Sequence, residues 1–349
     1  MNISIIGTVD ETHTIVGGQY DRTEIIVEGL KKRGYNVRFT NMMNWRKRRL
    51  DVFSNIIKNY FWSDCVIFVA WINGAKVNLI ILKWLRIIAK RPAFQIAIGG
   101  KQNCDFIRNE KKYRELVKSL SAVFVELESM VDEYKAAGVN NVVHLPNCKS
   151  IDLKTQRTIP EMNKPYRFCT YSRVMPEKGI KEAIEVVERL NFKNGAGYCT
   201  LDIYGTYYDK DKTWFENILN NSSKAITYKG RIERKDSIAT LGQYDLMLFP
   251  TRHVNEGVPG SLIDCYEAGL PIVACNTSFM ATIVIDGKTG FVYDGAKTTN
   301  LDNAIFRYIN LNNDAREQMR KNCIDMAMKY DTTVVINKLC EYIKVCVNK

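Results

Sequence analysis

Two carboxylates eight residues apart, Glu256 and Asp264, lie in the stretch 252–271, RHVNEGVPGSLIDCYEAGLP. Glu256 falls in a loop punctuated by glycine and proline. Pro259-Gly260-Ser261 reads as a turn and a helix start, with Ser261 able to act as N-cap. That spacing predicts Asp264 in the first turn of a short helix that stops at Gly269. A loop acid and a first-turn acid beside a helix N-terminus suit a ligand with both hydroxyls and phosphate. The carboxylates accept from hydroxyls, and the free N–H groups and helix dipole favour the anion. An ordinary surface loop with two acids gives the same pattern, so partners decide. One pair is available in Ser172-Arg173-Val174-Met175-Pro176-Glu177-Lys178-Gly179, where Arg173 and Lys178 flank a proline turn. Arg forks onto phosphate oxygens and Lys adds a point charge, so together they can neutralise a departing pyrophosphate without a metal. A solvated loop with two basic residues is the plain alternative.

The elements that must position these groups follow from hydrophobic periodicity. Apolar runs at 3–7, 36–40, 65–70, 94–98, 122–125 and 141–144 read as strands. Helical spacing covers 20–33, 52–61, 74–89, 106–118 and 127–137 between them. The run at 65–70 is continuously apolar, as expected of a parallel strand covered on both faces. A polar segment, 148–165, ends in proline and reads as a linker. Alternation then restarts, with strands at 167–171, 200–204, 225–228, 246–249, 272–274 and 291–293, and a mostly helical tail over 301–347 that breaks near Tyr330-Asp331. The chain is therefore α/β, with two Rossmann-like domains and ligands expected beyond the carboxyl ends of the strands, in a cleft between the domains.

Length and composition agree. A chain of 349 residues, 46% hydrophobic and 25% charged, exceeds one typical core and carries no low-complexity tract. No apolar run approaches the roughly 20 residues that span a bilayer. The first residues, MNISIIGTVD, form a strand-like segment with no basic run, so no signal peptide is expected. Ten cysteines lack metal spacing, and His13, His144 and His253 lie far apart, which fits buried thiols in a reducing cytoplasm. Residues 1–150 carry 23 Lys and Arg against 14 Asp and Glu, net +9, while the remainder carries 27 against 24, net +3. Such asymmetry suits an anionic partner for the first half: a membrane surface, a phosphorylated acceptor or nucleic acid. No nucleic-acid recognition motif accompanies it. Simple solubility gives the same balance.

Other motifs are weaker. Gly17-Gly18-Gln19 follows the first strand and leads into a helix, so the backbone can approach a ligand there. It lacks the Gly-x-Gly-x-x-Gly dinucleotide spacing, which disfavours a dehydrogenase. Ile98-Gly99-Gly100-Lys101-Gln102 follows another strand and reads either as a ligand loop or a plain turn. Asp209-Lys210-Asp211 matches a metal-holding Asp-x-Asp by chance composition alone. The segment 77–89, VNLIILKWLRIIA, is apolar nearly all round and is expected to be mostly core. Its basic neighbours, Arg46 to Arg49 and Lys90-Arg91, keep a membrane interface in view.

Taken together, Glu256-Gly-Val-Pro-Gly-Ser-Leu-Ile-Asp264 with Glu267-Ala-Gly-Leu-Pro271 resembles the carboxylate-x7-carboxylate signature of retaining glycosyltransferases of family 4. Arg173 with Glu177-Lys178-Gly179 resembles that family's phosphate-binding loop. Tyr204-Gly205, Tyr228-Lys229-Gly230-Arg231, Tyr244-Asp245, Phe249-Pro250-Thr251 and Gly287-Lys288-Thr289-Gly290-Phe291 follow in its order. Gly17-Gly18-Gln19 with Arg22-Thr23 is similar to the glycine loop of its polysaccharide-assembly members (capsule, exopolysaccharide, lipopolysaccharide). The resemblance implies the GT-B fold, two Rossmann-like domains with a deep interdomain cleft. It implies an acceptor-side domain over 1–150, a linker over 151–165, a nucleotide-sugar donor domain over 166–330, and a C-terminal helix over 331–349 returning to the first domain. It also implies a metal-independent transferase without a cofactor, moving a sugar from a UDP- or GDP-type donor to a lipid-linked or saccharide acceptor. The setting it implies is cytoplasmic, with peripheral contact at the inner face of the plasma membrane and no nucleic-acid partner.

In that likeness Arg173 and Lys178 hold the diphosphate, Glu256 contacts the transferred sugar, and Asp264 accepts from the ribose hydroxyls. The backbone at Arg231-Ile232 meets the base, Gly17 and Gly18 close over the donor, and Gly260-Ser261 faces the phosphate side. The chain departs from the common pattern at Asp264, where Glu is usual, and at Thr282, where many members carry Glu. The first-domain histidine of many members has no counterpart among His13 and His144 that can be assigned. A non-hydrolysing nucleotide-sugar epimerase and a non-catalytic sugar-nucleotide- or membrane-binding subunit are the alternatives.

Overall fold

The protein, a computed structural model, is described at residues 1–10, 18–152, 162–295 and 299–348. It divides into two units. The first comprises Met1–Ser150, Asn255–Gly260 and Tyr330–Lys349, and the second Ile151–Val254 and Ser261–Lys329. In chain order the elements to residue 150 are β1 (Asn2–Gly7), α1 (Gly18–Lys31), β2 (Asn36–Asn41), α2 (Arg49–Trp62), β3 (Cys65–Ala70), α3 (Ile72–Ile88), β4 (Ala93–Ala97), α4 (Lys101–Asn109), α5 (Lys111–Lys118), β5 (Ala122–Val125), α6 (Glu128–Ala136) and β6 (Val142–His144). There follow β7 (Tyr166–Tyr171), α7 (Ile180–Asn194), β8 (Cys199–Tyr204), α8 (Asp209–Asn220), β9 (Ile226–Gly230), α9 (Ser237–Leu241) and β10 (Leu246–Phe249). The remainder is α10 (Gly260–Glu267), β11 (Ile272–Cys275), α11 (Met280–Ile283), β12 (Gly290–Tyr293), α12 (Thr299–Ile309), α13 (Asn313–Ala327) and α14 (Thr332–Val347).

In the first unit six parallel strands run in the order β2-β1-β3-β4-β5-β6. All six residues of β3 are buried, which its unbroken apolar run requires. One face of the sheet carries Ile3, Ile5, Phe94 and Phe124 against Ile26 and Leu30 of α1 and Ile336, Leu339 and Ile343 of α14. Helices α1 and α14 approach through Gly29, where a Cβ would lie 2.8 Å from Ile336 Cγ1. Arg33 fastens the same pair by donating to Asn337 Oδ1 and to the Thr333 carbonyl. Burying one such aliphatic side chain contributes about 1.5–3 kcal/mol.

Two expectations are revised here. The helical stretch expected over 106–118 is two helices broken at Glu110. Both Ile107 and Val117 are buried, and an unbroken helix would point residues ten apart about 80° away from each other. Helix α3, expected to be mostly core, buries only one stripe: Ile72, Ala75, Asn78, Leu79, Leu82 and Leu85. Its other face exposes Trp84 at 64%, Ile87 at 69% and Ile88 at 73%.

In the second unit six parallel strands run in the order β12-β11-β10-β7-β8-β9. Phe168, Leu201, Leu246, Leu248 and Val273 of the strands pack with Ile184 and Val187 of α7 and Ile305 and Tyr308 of α12. A buried Arg320 on α13 donates to the carbonyls of Gly269 and Tyr244. Gly269 itself adopts φ +67°, which ends α10.

Candidate functional site

Strands β7 and β10 are neighbours, yet β8 continues the sheet beyond one and β11 beyond the other. The strand order reverses across the sheet at this point, and in open α/β sheets ligands bind beyond the carboxyl ends of the strands at such a reversal. The groups expected to bind phosphate and ribose follow these two strands. After β7 the chain runs through Arg173 and a short turn, Pro176–Lys178, into α7. The Arg173 guanidinium lies 4.6 Å from the centre of the Tyr208 ring, and Lys178 Nζ lies 5.6 Å from that of Phe249 at the end of β10. Aromatic faces attract cations and restrict where these long side chains can swing.

The loop after β7 is fastened to the chain leaving β10. Gly179 has φ +72°, and a Cβ there would lie 2.1 Å from the Pro250 carbonyl oxygen, so only glycine allows the approach. The Arg252 N–H donates to the Glu177 carbonyl at 2.8 Å, and Arg252 Nε pairs with Glu182 at 3.1 Å. Asp264 is buried, and Tyr171, the last residue of β7, donates its hydroxyl to Asp264 Oδ2 at 3.2 Å. Burial raises the Tyr171 pKa, the Asp264 carboxylate adds to the rise, and the Arg231 charge opposes it. Tyr171 is therefore a neutral donor that orients Asp264. One turn on, buried Glu267 accepts the Asp152 N–H at 2.8 Å.

The helix carrying Asp264 starts earlier than expected. It begins at Gly260, so Ser261 is inside it rather than capping it, and no acid occupies its first turn. Asp264 stands in the second turn. Proline has no N–H to lose and a preset φ, so the chain turns helical directly behind Pro259. Ile232 follows Arg231 just past β9 and is half-buried.

Glu256 belongs with the first unit, as does Gly260. The first unit gathers the segment around Glu256 on two strand ends. After β4, the Gly100 N–H donates to the Asn255 carbonyl at 3.0 Å, and a Cβ on Gly100 would lie 1.9 Å from the Glu256 carbonyl oxygen. After β5, Glu126 is buried and accepts the Val258 N–H at 2.8 Å and the Gly99 N–H at 3.4 Å. Asn147 Nδ2 donates to the Val258 carbonyl at 3.0 Å. Arg22, fully buried on α1, donates to Asn147 Oδ1 at 3.2 Å and to the Leu145 carbonyl at 2.8 Å. Desolvation raises the Glu126 pKa, the Arg22 charge and the two N–H bonds oppose the rise, and the Glu256 charge adds to it. Of the two readings of the Gly99-Gly100 pair, the structure shows a close backbone approach, made to this chain's own Glu256 segment.

Gly17 and His13 lie outside the described residues. Gly18 opens α1 with nothing within 4 Å of a would-be Cβ. The ring of His144 contacts the Glu126 carbonyl oxygen at 3.2 Å, and burial lowers its pKa. Asp209 and Asp211 occupy the first turn of α8, and among the described residues no group of three or more His, Cys, Asp or Glu has metal-site geometry. Glu126, Asn147, Tyr171 and Tyr208 were not singled out in the sequence. The one available signal was a lone Glu directly after the apolar run at 122–125.

Residues 153–326 match the model of glycosyl transferases group 1. No curated protein sequence matches the chain. Among solved structures, Alr3699/HepE from Anabaena, in complex with UDP, superposes with a TM-score of 0.78 over 99% of this chain and 100% of its own, at 14% identity. Sucrose-phosphate synthase from Thermosynechococcus elongatus gives 0.78 over 100% of both chains at 12% identity. The lipopolysaccharide outer core galactosyltransferase WaaB gives 0.71 over 99% of both at 14%. Both sheets and their connections are thus those of the two-Rossmann-domain GT-B architecture, and the chain is a glycosyltransferase.

Proposed function

We propose that this glycosyltransferase is a retaining, metal-independent member of family 4 that moves a sugar from a nucleotide diphosphate donor to a lipid-linked or saccharide acceptor in surface-polysaccharide assembly. The observation that carries the reading is the strand-order reversal of the second unit, where a fastened Arg173–Lys178 loop follows one strand and a Tyr171-oriented Asp264 follows the other. Arg173 and Lys178 hold the diphosphate and stabilise the charge that develops as it departs. Asp264 accepts from the ribose, the backbone at Arg231-Ile232 meets the base, and Glu256 contacts the transferred sugar. The start of α10, at Gly260-Ser261, serves the phosphate side, and Gly17-Gly18 closes over the donor. Residues 1–150 are the acceptor-side domain and 166–330 the donor domain, except that 255–260 and Tyr330 pack with the first unit. The acceptor hydroxyl attacks from the face the phosphate leaves, and no cofactor is needed.

Relatives supply the donor chemistry: HepE has been crystallised with UDP-glucose. A panel of UDP and GDP sugars in a thermal-shift assay tests the assignment. The matching donor should raise the melting temperature, the stabilisation growing with the logarithm of its affinity and reaching roughly 3 kcal/mol at a hundred times Kd. No stabilisation by any sugar nucleotide at millimolar concentration would sink the donor reading.

The acceptor side is proposed to rest on the inner, anionic face of the plasma membrane. No helix among the described residues is long and apolar enough to cross a bilayer. Trp84, Ile87 and Ile88 of α3 are exposed, and so are Ile57 and Phe61 of α2. The two helix ends are joined: Tyr60 donates to the Ala89 carbonyl at 2.5 Å and Arg91 to the Phe61 carbonyl at 2.8 Å. Exposed Trp and Ile with Lys83, Arg86, Lys90 and Arg91 close by in sequence suit an interface of anionic headgroups over acyl chains. Vesicles with anionic lipid should sediment the protein and zwitterionic vesicles should not. Trp84→Ser with Ile88→Ser should weaken partitioning by a factor of about ten or more. Equal binding to both vesicle types, or unchanged binding by the double variant, would remove the membrane from the reading.

A further inference from the structure

We infer that Glu126 is the positioning residue for Glu256, acting through the backbone of residues 255–258; the inference rests on Glu256 as the sugar-contacting acid. A buried carboxylate is expensive unless its oxygens are engaged, and those of Glu126 are shared between the N–H groups of Val258 and Gly99. Asn147 takes the other polar group of Val258, its carbonyl, and is itself held by Arg22 and by the Cys148 N–H at 2.9 Å. Two residues before Val258, the Glu256 carbonyl lies against the bare face of Gly100. Between them a Cβ on Gly257 would fall 2.1 Å from Glu126 Oε2. The backbone is therefore fixed at Asn255, at Glu256 and at Val258, leaving the direction of the Glu256 side chain to follow from this seat. Neither Gly100 nor Gly257 needs its glycine for a left-handed conformation, since neither has positive φ. The constraint at both is the closeness of the neighbouring group.

The seat also explains a carboxylate that the donor chemistry leaves without a role. Glu126 puts a carboxyl group in a place where an apolar residue would pack, and no Lys or Arg lies in ion-pair contact with it among the described residues. The Arg22 charge offsets part of the cost of burial, but the direct hydrogen bonds to the Glu126 carboxyl oxygens come from backbone N–H groups, one of them in the segment it orients. That is the pattern of a group whose purpose is register rather than charge.

The test uses the full chain and the sugar nucleotide that gives the largest thermal shift in the panel above. It reads turnover, nucleotide Kd, and amide exchange of a peptide spanning 254–260. Glu126→Gln keeps the volume and one acceptor oxygen. It should lower kcat by roughly ten- to a hundredfold, leave the nucleotide Kd within about threefold, and raise Val258 amide exchange at least about tenfold. Gly257→Ala, with Glu126 untouched, should give the same signature. In a Glu126→Ala background the added Gly257→Ala should change kcat by less than about threefold, because its collision partner is gone. Unchanged kcat or unchanged Val258 exchange in Glu126→Gln overturns the inference, as do fully additive losses in the double variant. Glu256→Gln separates the two ideas: it should lose turnover while Val258 stays protected. Full turnover in Glu256→Gln would overturn the sugar assignment, whereas the exchange data judge the seat on their own.

Discussion

The two sheets have the same number of parallel strands but reverse at different places. The second reverses between β7 and β10, and the groups assigned to phosphate and ribose leave those two strands. The first reverses between β1 and β3, yet the groups that hold the Glu256 segment follow β4, β5 and β6, with Arg22 from α1. In one unit topology delivers the site, so a compact loop supplies both cations. In the other, four separate elements each supply one group. The difference teaches that groups placed by a strand-order reversal produce motifs, whereas a seat assembled from scattered positions produces none.

The sharpest way to break that comparison is Lys178→Ala. If the loop after β7 stabilises the leaving diphosphate, turnover should fall by about a hundred- to a thousandfold with stability nearly unchanged, since a half-buried loop cation holds no core. Single-turnover kinetics beside a melting curve decide it, and an active variant ends the phosphate assignment. Asp264→Asn should act next, weakening nucleotide binding by roughly tenfold, because an amide offers one acceptor oxygen where the carboxylate offers two. Calorimetric titration with the free nucleotide measures this without needing an acceptor. The smallest effect expected is that of Tyr171→Phe, which removes only the 3.2 Å bond that orients Asp264. A loss of about threefold to tenfold in nucleotide affinity, with kcat at saturating donor preserved, would confirm that Tyr171 acts through Asp264.

Most strands were legible because burial on both faces leaves an unmistakable apolar run; those at 65–70, 122–125 and 246–249 agree residue for residue. The helices were legible in place but not in phase. Spacing alone did not show that Ile107 and Val117 need separate axes, nor that α3 leaves Trp84, Ile87 and Ile88 outside. A helix apolar all round gives no moment to say which side is covered. Asp264 missed its expected turn because the choice between Pro259 and Ser261 as the starting signal is settled by backbone geometry, not composition. Glu126 leaves no mark in the sequence for a deeper reason. Its partners are main-chain N–H groups, and every residue but proline has one, so no spacing betrays the contact.

The meeting of Gly29 with Ile336 has a consequence for how the chain acquires its structure. Helix α14 completes the core over β1, β4 and β5, but it follows the whole second unit in sequence. During synthesis the residues up to 150 emerge with Ile26, Leu30 and their sheet neighbours still lacking a cover. The second unit, whose segments up to 329 are already present, can close first. The polypeptide is thus made in one order and finished in another: its opening strand must wait for a helix some three hundred residues downstream before its own side of the sheet is dry.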